Sequence, residues 1–202
     1  IHASGRYLLG IINDILDLSK IEAGKMSLDS AKEFALRPAL TASLAMIENL
    51  AGKFGVRVSA ALPDGDVRII AVERMVRQIL INLVGNAIKF TPAGGDVHIS
   101  GRALADGGYE LVVRDTGVGM NEDDIAQALT PFGQIASMIS AKHTGTGLGL
   151  PLAKAMMELH GGSLTIASAP QKGFGPERGG AQQCCHVFRA RCIFNRSLCT
   201  QR

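Results

Sequence analysis

Tryptophan is absent from the 202 residues, and all aromatics together reach only 4%. The core must therefore be aliphatic. Cysteine is missing from the first 183 positions; all four (Cys184, Cys185, Cys192, Cys199) crowd into the tail. A cysteine-free body fits a reducing cytoplasm and argues against a disulfide framework. No stretch approaches the roughly 18 uninterrupted apolar residues of a membrane span. No basic segment leading into an apolar one opens the chain, so no signal peptide is expected. An anchor upstream would stay compatible with this, because Ile1 in place of Met fits a fragment of something longer. Residues 1–172 carry 16 basic and 17 acidic side chains, a balance that leaves no electrostatic footprint for nucleic acid.

Apolar residues make up 47% of the chain and charged ones 19%. That composition supports a core and argues against disorder throughout. At roughly 100–200 residues per domain, the length implies one full domain and a piece of a second. Leu8, Ile11, Ile12, Ile15, Leu18 and Ile21 recur at helical spacing, so residues 1–23 read as one amphipathic helix ending near Gly24. Such a stripe is buried only against a partner helix, from this chain or another. A linker over 25–34 follows, then a helix from Arg37 to about Lys53, with Pro38 suited to its first turn. Val56, Val58 and Ala60 alternate as a strand, and Asp64-Gly65 marks a turn. Glu73–Phe90 is a helix stopped by Thr91-Pro92 and Gly94-Gly95. Val97–Ile99 and Leu111–Val113 read as hairpin strands joined at Asp106-Gly107-Gly108. A short helix fits Glu122–Leu129, a longer one Leu148–His160, and a strand Ser163–Ser168. Hairpin strands mixed with helices predict an α+β fold: one mixed sheet with helices packed on one face.

Four segments carry chemistry. Asn82, Asn86 and Lys89 are spaced i, i+4, i+7 and share one helix face. Amide oxygens beside a lysine suit a magnesium–phosphate group, although the same pattern also makes a solvated stripe. Asp115-Thr116-Gly117-Val118-Gly119 follows a strand; its glycines admit close backbone approach, and its carboxylate can accept from an exocyclic amine such as that of adenine. Many Asp-Gly turns simply end strands. Gly145-Thr146-Gly147-Leu148-Gly149 opens a helix and offers N–H groups to an anion. It is neither a Walker A loop nor a dinucleotide fingerprint. Pro131-Phe132-Gly133-Gln134 sets a lone aromatic between the two glycine segments, either as a lid anchor or as a local core contact.

The ordered set NLVGNAIKFTPAGG (82–95), DTGVGM (115–120), PFGQ (131–134) and GTGLGL (145–150) resembles the N, G1, F and G2 boxes of the ATP-binding domain of bacterial sensor histidine kinases. Residues 4–26 are similar to the second helix of that family's dimerisation and phosphotransfer domain. The resemblance covers about residues 1–172. It implies a two-layer α/β sandwich of the GHKL ATPase type, with residues 1–30 from the dimerisation domain and its linker, 31–172 as the catalytic domain and 173–202 as an atypical tail. It further implies that Asn86 holds Mg²⁺, that Asn82 and Lys89 stand at the phosphates as the catalytic pair, and that Asp115 reads adenine. Gly117 and Gly119 would shape the adenine end, and Phe132 would anchor the lid. Gly145, Gly147 and Gly149 would wrap the phosphates, Thr146 and Leu148 between them would belong to the nucleotide site, and Thr144 would join it from the lid, where His143 also lies. ATP and Mg²⁺ are the implied cofactors, a response regulator the implied partner, and residues 1–23 the implied homodimer contact. Relatives that hydrolyse ATP carry Glu where Asn82 stands; an amide is no general base, so transfer to a positioned nucleophile is favoured over hydrolysis.

The acceptor histidine of the family belongs upstream of Ile1, and His2 does not match its motif. The isolated chain is therefore expected not to phosphorylate itself; a stable phosphohistidine on the pure chain would refute this. Val72 stands where the family usually has an acid, which weakens a helix cap. Residues 173–202 hold five arginines against one glutamate. The abrupt change in composition fits a frame-shifted or foreign end. Its rivals are a zinc site from Cys184, Cys185, His186, Cys192 and Cys199, whose adjacent cysteines are not the usual spacing, and a nucleic-acid-binding tail. Val187–Phe194 has the pattern to replace the family's last strand. Two other functional readings compete: a different GHKL ATPase, and a non-catalytic interaction module from a degenerate kinase.

Overall fold

The structure, a computed structural model, describes residues 2–61, 67–105, 108–135, 145–169 and 186–192. Five helices and seven strands appear in it: α1 (His2–Glu22), β1 (Lys32–Ala35), α2 (Leu36–Phe54), β2 (Arg57–Ala61), β3 (Arg68–Ala71), α3 (Glu73–Phe90), β4 (Asp96–Ala103), β5 (Tyr109–Asp115), α4 (Glu122–Ala128), α5 (Gly149–Leu159), β6 (Ser163–Ser168) and β7 (His186–Cys192). The turns expected at Asp64-Gly65 and Asp106-Gly107 lie outside the described residues.

The main sheet has the order β2-β4-β5-β7-β6. It is mixed: β2 runs parallel to β4, with Val58 opposite Val97, whereas β4–β5, β5–β7 and β6–β7 are antiparallel. The expected hairpin is therefore present and longer, running from the Val97–Asp115 pair to the Ala103–Tyr109 pair. The single-sheet expectation needs correcting. The segment taken as linker ends in β1, which pairs with β3 as a separate two-stranded sheet, Glu33 opposite Ile70. Both strands are four residues long, too short to show a period against their surroundings. The helix expected from Arg37 begins one residue earlier, at Leu36.

Helices α2, α3 and α5 cover one face of the sheet. Val97, Ile99 and Val113 from the strands meet Leu83, Val84, Ile88, Leu152 and Met156 in a dry core. Burying side chains of this size stabilises the fold by about 1.5–3 kcal/mol each. α1 packs its Leu18 into that core, with Ile11 and Ile21 half-buried beside it, and Asp17 accepts an ion pair from Arg74 of α3 at 3.1 Å. Leu8, Leu9, Ile12, Ile15 and Leu16 on the rest of α1 are exposed. Among the described residues no helix is long and apolar enough to cross a membrane.

The tail contributes β7, lying between β5 and β6. His186 pairs with Asp115 and Ser168, and Phe188 with Val113 and Ile166. A replacement strand thus forms over His186–Cys192; Ile193 and Phe194 of the expected stretch lie outside the described residues. Cys184, Cys185 and Cys199, three of the five residues weighed as zinc ligands, fall outside the described residues.

The start of α3 shows how a missing cap is compensated. Val72 has no side-chain oxygen to offer, and no side chain caps this helix end from within. Instead the Val72 N–H donates to Nε2 of buried His160 at 3.2 Å, while Nδ1 of the same ring donates to the Met156 carbonyl at 2.7 Å. The Val72 bond requires the neutral ring, and burial pushes its pKa below the usual value, outweighing the Met156 carbonyl, which favours the protonated form. The unfolded chain therefore takes up the proton first. Stability from His160 is fully present above about pH 6.5 and is lost as pH falls toward the lowered folded value. Urea unfolding should show stability falling between about pH 7 and about pH 5.5, a slope that His160→Gln, which keeps an acceptor, does not show. Equal pH slopes for both proteins would contradict this account.

Candidate nucleotide site

α3 buries Leu83, Val84, Ala87 and Ile88, which leaves Asn82, Asn86 and Lys89 half-buried on the adjoining face. Burial lowers the Lys89 pKa. An anion beside the ammonium would relieve that cost. The two asparagines differ in state. Asn82 is engaged at both ends of its amide: Oδ1 accepts from Gln78 Nε2 at 3.2 Å, and Nδ2 donates to the Gly149 carbonyl at 3.0 Å. No hydrogen bond joins the Asn86 amide to any other described residue, so its oxygen is available.

The second segment is bonded to the end of this helix. Val118 N–H donates to Phe90 O at 3.2 Å, and Thr116 and Asp96 exchange two bonds of 3.0 Å. Asp115 closes β5 with 1% of its surface exposed, its Oδ1 accepting from Gly117 N–H at 2.8 Å. A Cβ at position 117 would come within 2.6 Å of both Asp115 Oδ1 and Phe90 O, so only glycine fits. Met120 N–H donates to Ser168 Oγ at 2.8 Å, which ties the loop to β6.

α4 begins with a capping box between Asn121 and Asp124 and leads into the third segment. Phe132 sits at φ 61°, 60% exposed, a combination rare for an aromatic. Its N–H donates to Gly147 O at 3.1 Å, and Gln134 Nε2 donates to Gly145 O at 2.8 Å. Gly147 has φ 70°, and a Cβ there would press on the Phe132 backbone at 2.7–2.8 Å. The third segment is thus bonded to the fourth, and the fourth to α3 through Asn82. Leu148 is fully buried, so only its backbone is left to face a ligand. Thr144 and His143 lie outside the described residues.

Residue spacing does not reveal the roles of Gln78, Gln127, Gln134 or His160. Two of them leave a trace in the sequence: Gln134 closes the third segment, and Gln78 precedes Asn82 by four residues on the same face.

An α+β sandwich with a helix face of amide and lysine, clasped by two glycine turns, defines a nucleotide-binding fold. The sequence pattern described as "Histidine kinase-, DNA gyrase B-, and HSP90-like ATPase" matches residues 71–180. The Histidine protein kinase DivJ of Caulobacter vibrioides is 42% identical over 168 residues, covering 83% of this chain and 28% of that protein. The Cell-division control histidine kinase PdhS of Brucella canis is 36% identical over 181 residues, 86% of this chain and 17% of that protein. The crystal structure of full-length ShkA in complex with AMPPNP superposes with a TM-score of 0.74 at 27% identity, over 95% of this chain and 37% of that one. The Acinetobacter baumannii histidine kinase AdeS shares the fold, with a TM-score of 0.71 at 20% identity. The chain belongs to the histidine kinase-, DNA gyrase B- and HSP90-like ATPase family, as the ATP-binding catalytic domain of a sensor histidine kinase. It spans less than a third of the length of the DivJ and PdhS proteins it matches.

Proposed function

We propose that this domain holds Mg²⁺–ATP for transfer of the γ-phosphoryl group to a histidine of the parent kinase, from which it passes to an aspartate of a response regulator. The observation that carries the reading is the contrast on α3: Asn82 is locked to Gly149, while Asn86 and the half-buried Lys89 remain available beside it. Residues 1–30 then belong to a dimerisation and phosphotransfer domain and 31–172 to the catalytic domain, on the cytoplasmic side. The exposed leucines and isoleucines of α1 would meet a second copy.

Each side chain has a separable part in this reading. Asp115 accepts from the adenine amine, and its position is fixed by Gly117 N–H. Lys89 places a positive charge on the phosphates. The N–H groups of Gly145–Gly149, at the start of α5, meet the remaining phosphate oxygens. The donor set fits Mg²⁺, which keeps several waters and takes few protein ligands; one amide oxygen, from Asn86, suffices when the phosphates supply the rest. When bound, the ion neutralises charge on the transferring group. Since phosphoryl transfer is mostly placement and charge stabilisation, no side-chain base is needed. Asn82 contributes by positioning, because an amide, here bonded to Gln78 and Gly149, is not basic enough to take a proton.

Calorimetric titration with ADP should show saturable binding that Mg²⁺ tightens by about tenfold. Asn86→Ala should abolish the Mg²⁺-dependent gain and leave the affinity in EDTA within about twofold. A gain that persists in Asn86→Ala would place the ion elsewhere.

A further inference from the structure

Three alternate carbonyls of the fourth segment accept hydrogen bonds from outside it. Gly145 O accepts from the Gln134 side chain, Gly147 O from Phe132 N–H and Gly149 O from the Asn82 side chain, at 2.8, 3.1 and 3.0 Å. In a trans peptide the carbonyl and the next N–H point to opposite sides. Drawing these carbonyls back onto α3 and the Phe132–Gln134 turn therefore turns the N–H groups of Thr146, Leu148 and Leu150 away from those donors; of the three, Leu148 N–H already donates to Thr146 Oγ1 at 3.3 Å, which leaves those of Thr146 and Leu150 to meet a phosphate. The direction decides what the segment can bind: a carbonyl facing a phosphate repels it, and an N–H attracts it.

Both side-chain donors are themselves held. Gln78 Nε2 donates to Asn82 Oδ1 at 3.2 Å, which fixes the amide so that its NH₂ end meets Gly149. Turned over, Asn82 would set its oxygen against the Gly149 oxygen. At the other end of the segment, Gln127 Nε2 donates to the Gln134 main-chain carbonyl at 2.8 Å, which links the turn to α4. The glycine segment is thus braced from two helices, one amide chain at each end.

We propose that Gln78 and Gln134 are positioning residues for phosphate binding, acting through Asn82 and Gly145 to aim the peptide planes of Gly145–Gly149. The inference rests on the nucleotide-binding reading above and adds two residues to it. They act on the phosphate end alone, so their loss separates triphosphate affinity from adenosine affinity, which a general structural role does not.

The test uses the whole chain with Mg²⁺–AMPPNP and, separately, adenosine, both followed by calorimetry. Gln134→Met and Gln78→Met keep side-chain length and add no charge but cannot donate. Each should weaken AMPPNP by about fivefold, the span expected for one hydrogen bond, and leave adenosine binding unchanged. The double variant should lose about the product of the two factors, because the residues brace opposite ends. Gln134 is exposed, so Gln134→Met decides the matter if Gln78→Met lowers the melting temperature. Unchanged AMPPNP affinity in Gln134→Met overturns the proposal, as does an equal loss for adenosine. A wild-type chain that binds neither ligand overturns the nucleotide reading itself, and this inference with it.

Discussion

Asp115→Asn should lower the affinity for ADP by about a hundredfold while leaving a folded protein. The carboxylate is almost entirely shielded from water, and one of its oxygens already accepts from Gly117 N–H at 2.8 Å. Asparagine keeps the shape and exchanges one acceptor for a donor. With its oxygen still on Gly117, its NH₂ would oppose the adenine amine, donor against donor. Losing a hydrogen bond to a charged group costs about 1.5–3 kcal/mol. The same substitution should erode the preference for ATP over a nucleotide carrying a carbonyl in place of the amine. Circular dichroism and a melting curve beside the calorimetry separate this from misfolding. An affinity within threefold of wild type would remove Asp115 from the site.

Ending the chain after Lys172 should have the larger effect on the protein as a whole. The composition of the tail suggests an end with no role, yet β7 pairs along seven residues of β5 and six of β6. Among the described strands β6 pairs only with β7, so the truncation would free β5 and β6 at once. It would also slacken Ser168, whose hydroxyl accepts from Met120 N–H at the end of the Asp115–Gly119 loop. The expected product melts without a cooperative transition and does not bind ADP. The loss exceeds the 4–5 kcal/mol that marks an exceptional single substitution. A truncated chain with the wild-type melting temperature would show that β7 contributes nothing.

The parts legible in the sequence were those set by local pattern. α3 is bounded by its apolar spacing and by Pro92 and Gly94, and β6 by the glycines before it. The four motifs stand out because each carries its own geometry, as in the two turns that only glycine fits at positions 117 and 147 and the one helix face. What escaped depends on partners far along the chain. β1 and β3 find each other across more than 30 residues, and neither is long enough to alternate visibly. The parallel pairing of β2 with β4 leaves no trace in either strand. Val72 looked like a weak cap because the group that serves it, His160, lies 88 positions away. The bracing by Gln127 and Gln134 depends on how α4 approaches the fourth segment, which no spacing rule encodes.

The arrangement of the sheet also sets the order in which the molecule can assemble. The β4–β5 hairpin closes a short loop and can form early, whereas the β5–β7 pairs join residues about 70 to 80 apart. Closing such a loop carries an entropy cost before any contact offsets it, and non-local strand pairing slows folding. Among the described strands β6 pairs only with β7, 18 to 28 residues on, so the β6–β7 pair stays apart from the sheet until β7 closes on β5. During that interval it presents a bare edge to other chains at the same stage. Yield on refolding should therefore depend on protein concentration more steeply than the finished fold, with its inner edges satisfied, would lead one to expect.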